Sequence, residues 1–142
     1  MHTESERLLE KILREKRHNV TAPRLAVFRA LYGSEPLFMR QLLAKVGASI
    51  DRVSVYRTVA LYEELGLIHR ITIGWKYKLE LSEIFQAHHH HICCLRCGKL
   101  QAIKENTALE QTIQAMADEA GFSLETHQLE LQGYCKDCQK AL

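Results

Sequence analysis

The chain has 142 residues, 46% of them hydrophobic and 25% charged, and a net charge of +2. That length suits one large domain or two small ones, the composition argues against disorder, and no run approaches the roughly 18 apolar residues of a membrane span. The opening MHTESERLLEKILREKRH is charged throughout and has neither the apolar stretch nor the cleavage site of a secretory signal, so a cytoplasmic chain with reduced thiols is expected. The charge is uneven. Twelve Lys/Arg face eight Asp/Glu up to Trp75, and seven face nine from Lys76 onward. A basic half joined to an acidic half predicts an anion-binding front and a different task behind it.

In chain order, Glu4 to Lys16 reads as a helix with Leu8, Leu9, Ile12 and Leu13 on one face. A second helix starts near Thr21, with Pro23 in its first turn, and Gly33-Ser34-Glu35-Pro36 breaks it. A third covers Met39 to Val46 and stops at Gly47. A fourth starts after Ser49 or Asp51 and runs to Glu64, with Gly66 beyond. LIHRITIGWKYKLEL follows, β-branched and aromatic, split by Gly74-Trp75 as in a hairpin. Helices followed by a two-stranded hairpin give the order of a winged helix-turn-helix.

After Ser82 the character changes. ICCLRCGKLQAI looks like a turn between two strands, Thr107 to Ala120 is a helix with Leu109, Ile113, Met116 and Ala117 in a stripe, and SLETHQLELQGYC alternates like a strand. The reading is an α+β fold, with a winged-helix DNA-binding domain over 1–82 and a metal-binding α/β domain over 83–142.

Five cysteines in a reducing compartment point to metal or catalysis rather than disulfides. Four form two CxxC pairs, Cys94/Cys97 and Cys135/Cys138. Two such turns complete a closed tetrahedral zinc site, and the 37 residues between Cys97 and Cys135 leave room for a helix and strands. The competing reading, a thioredoxin-like redox pair, needs a helix after the motif, where this chain has the strand-like KLQAI. Cys93 reads as a small buried hydrophobe. In an extended His88–His91 run, His88 and His90 face one way and His89 and His91 the other. Each pair makes half of a nitrogen-rich site that suits Zn, Fe, Ni or Cu. Glu110 and His127 are further candidate ligands. Against that, Thr107 to Glu110 matches a capping box in which Glu110 only satisfies a backbone donor, and His127 in a strand is as readily solvated.

HHHHICCLRCGKL, a helix, a strand histidine and a closing GYCKDC together resemble the ferric uptake regulator family. VTAPRLAVFRAL is similar to its second helix and SVYRTVALYEELGLI to its recognition helix, so the resemblance spans nearly the whole chain. It implies a metal-dependent repressor working as a dimer on palindromic operator DNA, with Cys94, Cys97, Cys135 and Cys138 as structural Zn2+ ligands. It further implies that His88, His90, Glu110 and His127 form the regulatory site for Zn2+ or Fe2+, with His69, Glu80, His89 and His91 as a second set. A histidine at position 90, where iron sensors commonly carry Asp, resembles the zinc uptake regulator branch; iron-, manganese- and peroxide-responsive members are the alternatives. The chain departs from many members in reading Glu35-Pro36-Leu37-Phe38 where they carry a histidine.

A winged helix places the N-terminal side chains of its fourth helix in the major groove. Ser54, Tyr56, Arg57 and Thr58 are the expected base-reading residues, with Lys16, Arg17 and Arg24 on the phosphates. Packing with Val55 and Val59 is the alternative for Tyr56, and Lys76 and Lys78 either touch phosphates or are simply solvated. A zinc hydrolase is the enzymatic alternative; it needs an open coordination position, which a four-ligand site lacks.

Overall fold

The computed structural model describes residues 3–142. The chain forms two compact units that divide between Ala87 and His88.

The first unit opens with α1 (Glu4–Glu15), whose N-cap Thr3 accepts a hydrogen bond from the Glu6 amide and whose Leu9 and Leu13 are buried. Arg17 lies in the left-handed region at φ 61°, and the His18 amide turns back to the Leu13 carbonyl, which ends the helix. Helix α2 (Ala22–Leu31) follows an extended Thr21 whose side chain makes no capping bond, with Pro23 in the first turn. It is tied to α1 by Arg29, whose Nε lies 2.6 Å from Glu6 Oε1.

Helix α3 (Met39–Val46) stops at Gly47 with φ 87°. Helix α4 (Arg52–Glu64) is capped by Asp51, not Ser49: the carboxylate accepts from both the Ser54 amide (2.8 Å) and its hydroxyl (2.7 Å). The hairpin is β2 (Ile68–Ile73) and β3 (Lys76–Leu81). A two-residue strand β1 (Leu37–Phe38), absent from the sequence reading, adds to β3, so the antiparallel sheet runs β1-β3-β2. Helices and sheet close over one core that includes Leu9, Leu13, Val27, Phe28, Leu42, Val55, Tyr62, Leu67 and Leu79. Tyr62 is the largest of these, and its hydroxyl donates to the Arg24 carbonyl at 2.7 Å. The unit is a winged helix-turn-helix.

The second unit is β4 (His90–Cys94), β5 (Leu100–Ile103), α5 (Thr107–Glu119), β6 (Glu130–Gly133) and α6 (Lys136–Gln139). The sheet order is β5-β4-β6. A tight turn joins β4 to antiparallel β5, while β6 pairs parallel to β4. Parallel pairing requires a long crossover, which α5 provides. Two expectations fail here. Only Glu130–Gly133 of the alternating SLETHQLELQGYC joins the sheet, so His127 lies outside any strand. The expected capping box at Thr107 is absent: Asn106 is the N-cap, accepting from the Leu109 amide at 3.1 Å. Glu110 is turned toward histidines instead.

Apolar burial is lopsided. Among the described residues, every buried hydrophobic one beyond Ala87 is a cysteine, Cys93 or Cys94, and α5 buries none fully. None of the helices formed by the described residues is long and apolar enough to cross a membrane.

Candidate metal centres

The first CxxC sits at the β4–β5 turn. The Gly98 amide donates to the Cys94 carbonyl at 2.9 Å, and Gly98 takes the left-handed φ of 73° that lets Cys97 curl back toward Cys94. The second pair spans the entry to α6, with Cys135 as its N-cap. Parallel pairing of β6 with β4 brings the two turns together: Cys94 is in register with Gly133, and the Leu95 amide donates to the Gly133 carbonyl. All four sulfurs lie within 4.8 Å of one another, and Cys97 Sγ is 3.8 Å from Cys135 Sγ. A tetrahedron with Zn–S bonds near 2.3 Å has edges of about 3.8 Å, so the quartet fits a tetrahedral ion.

Its electrostatics agree. The backbone amides of Cys135, at 3.3 Å, and of Cys97 pull the Cys94 thiol down to about 6. Burial and then the neighbouring sulfurs push Cys138 up to about 12. A group that ionises its first thiol easily and resists ionising the next is one that a bound cation completes.

The second cluster is built from three elements. The extended run places His88 and His90 on one face, with Nε2 atoms 3.3 Å apart. Helix α5 presents Glu110 to both: Oε1 is 3.2 Å from His88 Nε2 and 2.5 Å from His90 Nε2. His127 completes the group, its Nε2 lying 2.7 Å from Glu110 Oε2. Burial raises the Glu110 carboxyl, but the bonds from His90 and His88 outweigh it and hold the group below the usual carboxylate range. His127 Nε2 is buried, with the Glu110 carboxylate as its close neighbour. The four ligand atoms lie within 4.8 Å of one another, a separation that fits a small divalent ion.

The remaining candidate ligands form two pairs, each within its own unit. In the first unit His69 Nε2 is 2.8 Å from Glu80 Oε1, joining residues that face each other across β2 and β3. In the second, His89 and His91 Nε2 atoms are 3.1 Å apart, on the opposite face of the run from His88 and His90.

The side chains expected to meet DNA are unequal. Arg57 is exposed and Tyr56 is 51% exposed, which rules out core packing for its ring. Ser54 is held by the Asp51 cap. Thr58 departs from expectation: it is buried, sharing the inward face of α4 with Val55, Val59 and Tyr62, so its hydroxyl has no route to a groove. Lys16 and Arg17 are exposed, and Arg24 donates to the Asn19 carbonyl. Arg52 and Val53 also stand exposed on the first turn of α4. The Asp51 cap is what puts them in that turn.

The sequence matches the ferric uptake regulator family over residues 15–132. It is 35% identical over 141 residues to the ferric uptake regulation protein of Campylobacter jejuni, spanning 93% of this chain and 88% of that one. In three dimensions it is similar to the Vibrio cholerae ferric uptake regulator, with a TM-score of 0.69, 27% identity, and 89% of this chain and 98% of that one covered. It is also similar to a zinc-bound manganese uptake regulator, with a TM-score of 0.62, 30% identity, and coverage of 89% and 98%.

Proposed function

The chain belongs to the ferric uptake regulator family, metal-responsive transcriptional regulators, and on that premise we propose that it is a cytoplasmic repressor that binds palindromic operator DNA as a homodimer when its regulatory site is loaded, controlling metal uptake. The observation that carries this is the His88/His90/Glu110/His127 cluster, whose four candidate ligand atoms lie within 4.8 Å of one another. Cys94, Cys97, Cys135 and Cys138 hold a structural Zn2+, closed to substrate and therefore unsuited to hydrolysis. His88, His90, Glu110 and His127 hold the sensed ion, Zn2+ or Fe2+, which supplies a cross-link between strand, helix and the loop before β6. Three imidazoles to one carboxylate favour Zn2+.

The DNA-facing side belongs to the first unit. Tyr56 and Arg57 on α4 meet base edges, Ser54 orders the helix start, and Lys16, Arg17 and Arg24 meet phosphates. The second unit supplies the homodimer contact. Ile92 on β4 and Leu131 on β6 are partners in register and stand 39% and 44% exposed, an apolar strip that a second copy would cover.

The test is selection of duplexes from a random library with the chain loaded with Zn2+, Fe2+ or Mn2+, or stripped by chelator. Shifting the chain from about 1:99 to 99:1 in favour of the binding form requires about 5.5 kcal/mol of differential metal affinity. His90→Ala should keep one tightly bound ion and the fold, yet lose metal-dependent recovery of duplex. Recovery of the same sequences by the stripped protein would refute the switch.

A further inference from the structure

The chain that joins the two units is short, and one side of it is fastened. Strand β3 ends at Leu81 and β4 begins at His90. The Ser82 amide donates to the Leu67 carbonyl at 2.8 Å, and the Phe85 amide donates to the Ser82 carbonyl at 3.0 Å, closing a turn over 82–85. The turn carries Phe85 against the core of the winged helix. Its ring meets that of the buried Phe28 edge to face, with centroids 4.9 Å apart, and Phe28 stacks in turn on Tyr32 at 5.5 Å. The Gln86 side-chain amide donates to the Leu81 carbonyl. Fastening therefore runs through Gln86. The next residue, Ala87, closes the first unit, and His88 is already a candidate metal ligand.

That spacing has a mechanical consequence. From the Cα of Gln86 to that of His88 the chain spans at most about 7 Å, with the torsions of one intervening residue. A long flexible linker would average out whatever happened at its far end; this one is too short to do so. The ladder of the second unit begins at His90, which pairs with Ile103, so His88 stands ahead of it. The His88 side chain lies 3.3 Å from His90 Nε2 and 3.2 Å from Glu110 Oε1. An ion held by His88, His90, Glu110 and His127 would fix the direction in which the chain enters β4 at a point that strand pairing does not reach. A ligand shifts a conformational equilibrium only by as much as it distinguishes the two states. Here the distinction is the backbone path of residues 87–89, and Ala87 is the one residue between it and the fastened segment.

We infer that residues 82–87 are a strap that carries the state of the metal site into the winged helix, with Phe85 as the positioning residue that fastens it. This rests on the metal-dependent DNA binding proposed above and names the route of its regulation. Were Phe85 core filling alone, its loss would weaken DNA binding with and without the sensed ion alike and leave their ratio unchanged.

The full-length chain is compared with one and with two equivalents of Zn2+, the first taken by the sulfur quartet and the second by the regulatory site. Binding to the duplex recovered in the selection is read by fluorescence anisotropy. In the unaltered chain the second equivalent should strengthen binding about 5–150-fold, the ordinary range of such couplings. The duplex should strengthen uptake of the second ion by the same factor, read by competition with a chromophoric chelator. A Gly-Ser-Gly insertion between Ala87 and His88 adds about 10 Å of slack and alters no ligand and no DNA-facing residue. It should keep both ions, and the protection of α1, α2 and α4 in amide exchange, while both factors fall to about one. Phe85→Ala should lower the factors in the same direction, and Phe85→Leu, which refills the position, should restore them. If Phe85→Ala does not fold, the insertion decides alone. A full factor in the insertion overturns the strap, because coupling then runs by another route, and spares the regulatory reading. Loss of the second ion by the insertion overturns it too, since the strap would then build the site and not report on it. No gain from the second equivalent in the unaltered chain removes both the reading and the strap.

Discussion

Cys138→Ser should unfold residues 88–142 and leave the winged helix standing. The first unit has a core of its own, from Leu9 and Leu13 through Val27, Phe28 and Tyr62 to Leu79 and Leu81. In the second, the only fully buried apolar side chains among the described residues are those of Cys93 and Cys94, and α5 contributes none. A chain segment of about 55 residues without a packed interior needs a metal, disulfides or a partner to stay folded. A closed thiolate zinc site supplies about 10–16 kcal/mol of apparent free energy, as much as the whole net stability of a typical domain, about 5–15 kcal/mol. Opening one corner at Cys138 should therefore remove most of what holds β4, β5 and β6 together. Amide hydrogen exchange with and without chelator is the assay. Protection in Ile92, Cys93, Gln101 and Leu131 should collapse in Cys138→Ser, and in the stripped unaltered chain, while amides of α1, α2 and α4 keep theirs. If β4–β6 stay protected after the metal is removed, the second unit has a source of stability that the burial pattern does not reveal, and the reasoning fails.

Other outcomes follow from single contacts. Tyr62→Phe removes the hydroxyl's bond to the part-buried Arg24 carbonyl, which keeps its own helix donor, and should cost about 0.5–1.5 kcal/mol in urea unfolding, with DNA recovery intact. Leu79→Ala, at a fully buried position under the hairpin, should cost about 2–5 kcal/mol by the same measurement. The Ser54 hydroxyl and amide hold the Asp51 carboxyl below its ordinary value. Its contribution is therefore complete above about pH 4, where the unfolded carboxyl is ionised, and is lost as pH falls through the lower folded value. Asp51→Asn should flatten the acid side of the thermal-melting profile, and an unchanged profile would show that the cap carries no charge-dependent stability. Thr58→Val, facing inward, should leave operator affinity unchanged, whereas Arg57→Ala should weaken it about fivefold or more, read by fluorescence anisotropy.

Local signals exposed much of this architecture. The helix ends at Gly47 and Glu64, and the Gly74-Trp75 turn, are set by residues within a few positions of themselves. Contacts between distant residues were not legible. Strand β1 is two residues long and exists only because β3 pairs with it from some forty positions away. Glu110 obeyed the spacing of a capping box, yet the histidines of another element engaged it and left the cap to Asn106. His127 belonged to an alternating run, but pairing with β4 begins only at Glu130. Taking Ser54, Tyr56, Arg57 and Thr58 as one reading surface ignored helical rotation of about 100° per residue, which sends Thr58 inward beside Val55 and Val59.

Strand β4 ends in a candidate sulfur ligand and begins among imidazoles, so its position along its neighbours is an alignment problem as much as a packing one. A slip of one residue would turn His88 and His90 away from Glu110 and present His89 and His91 in their place. Few apolar side chains penalise such sliding. The anchored far end, with Cys94 locked opposite Gly133, therefore acts as an index pin that decides which two of four identical side chains face the carboxylate.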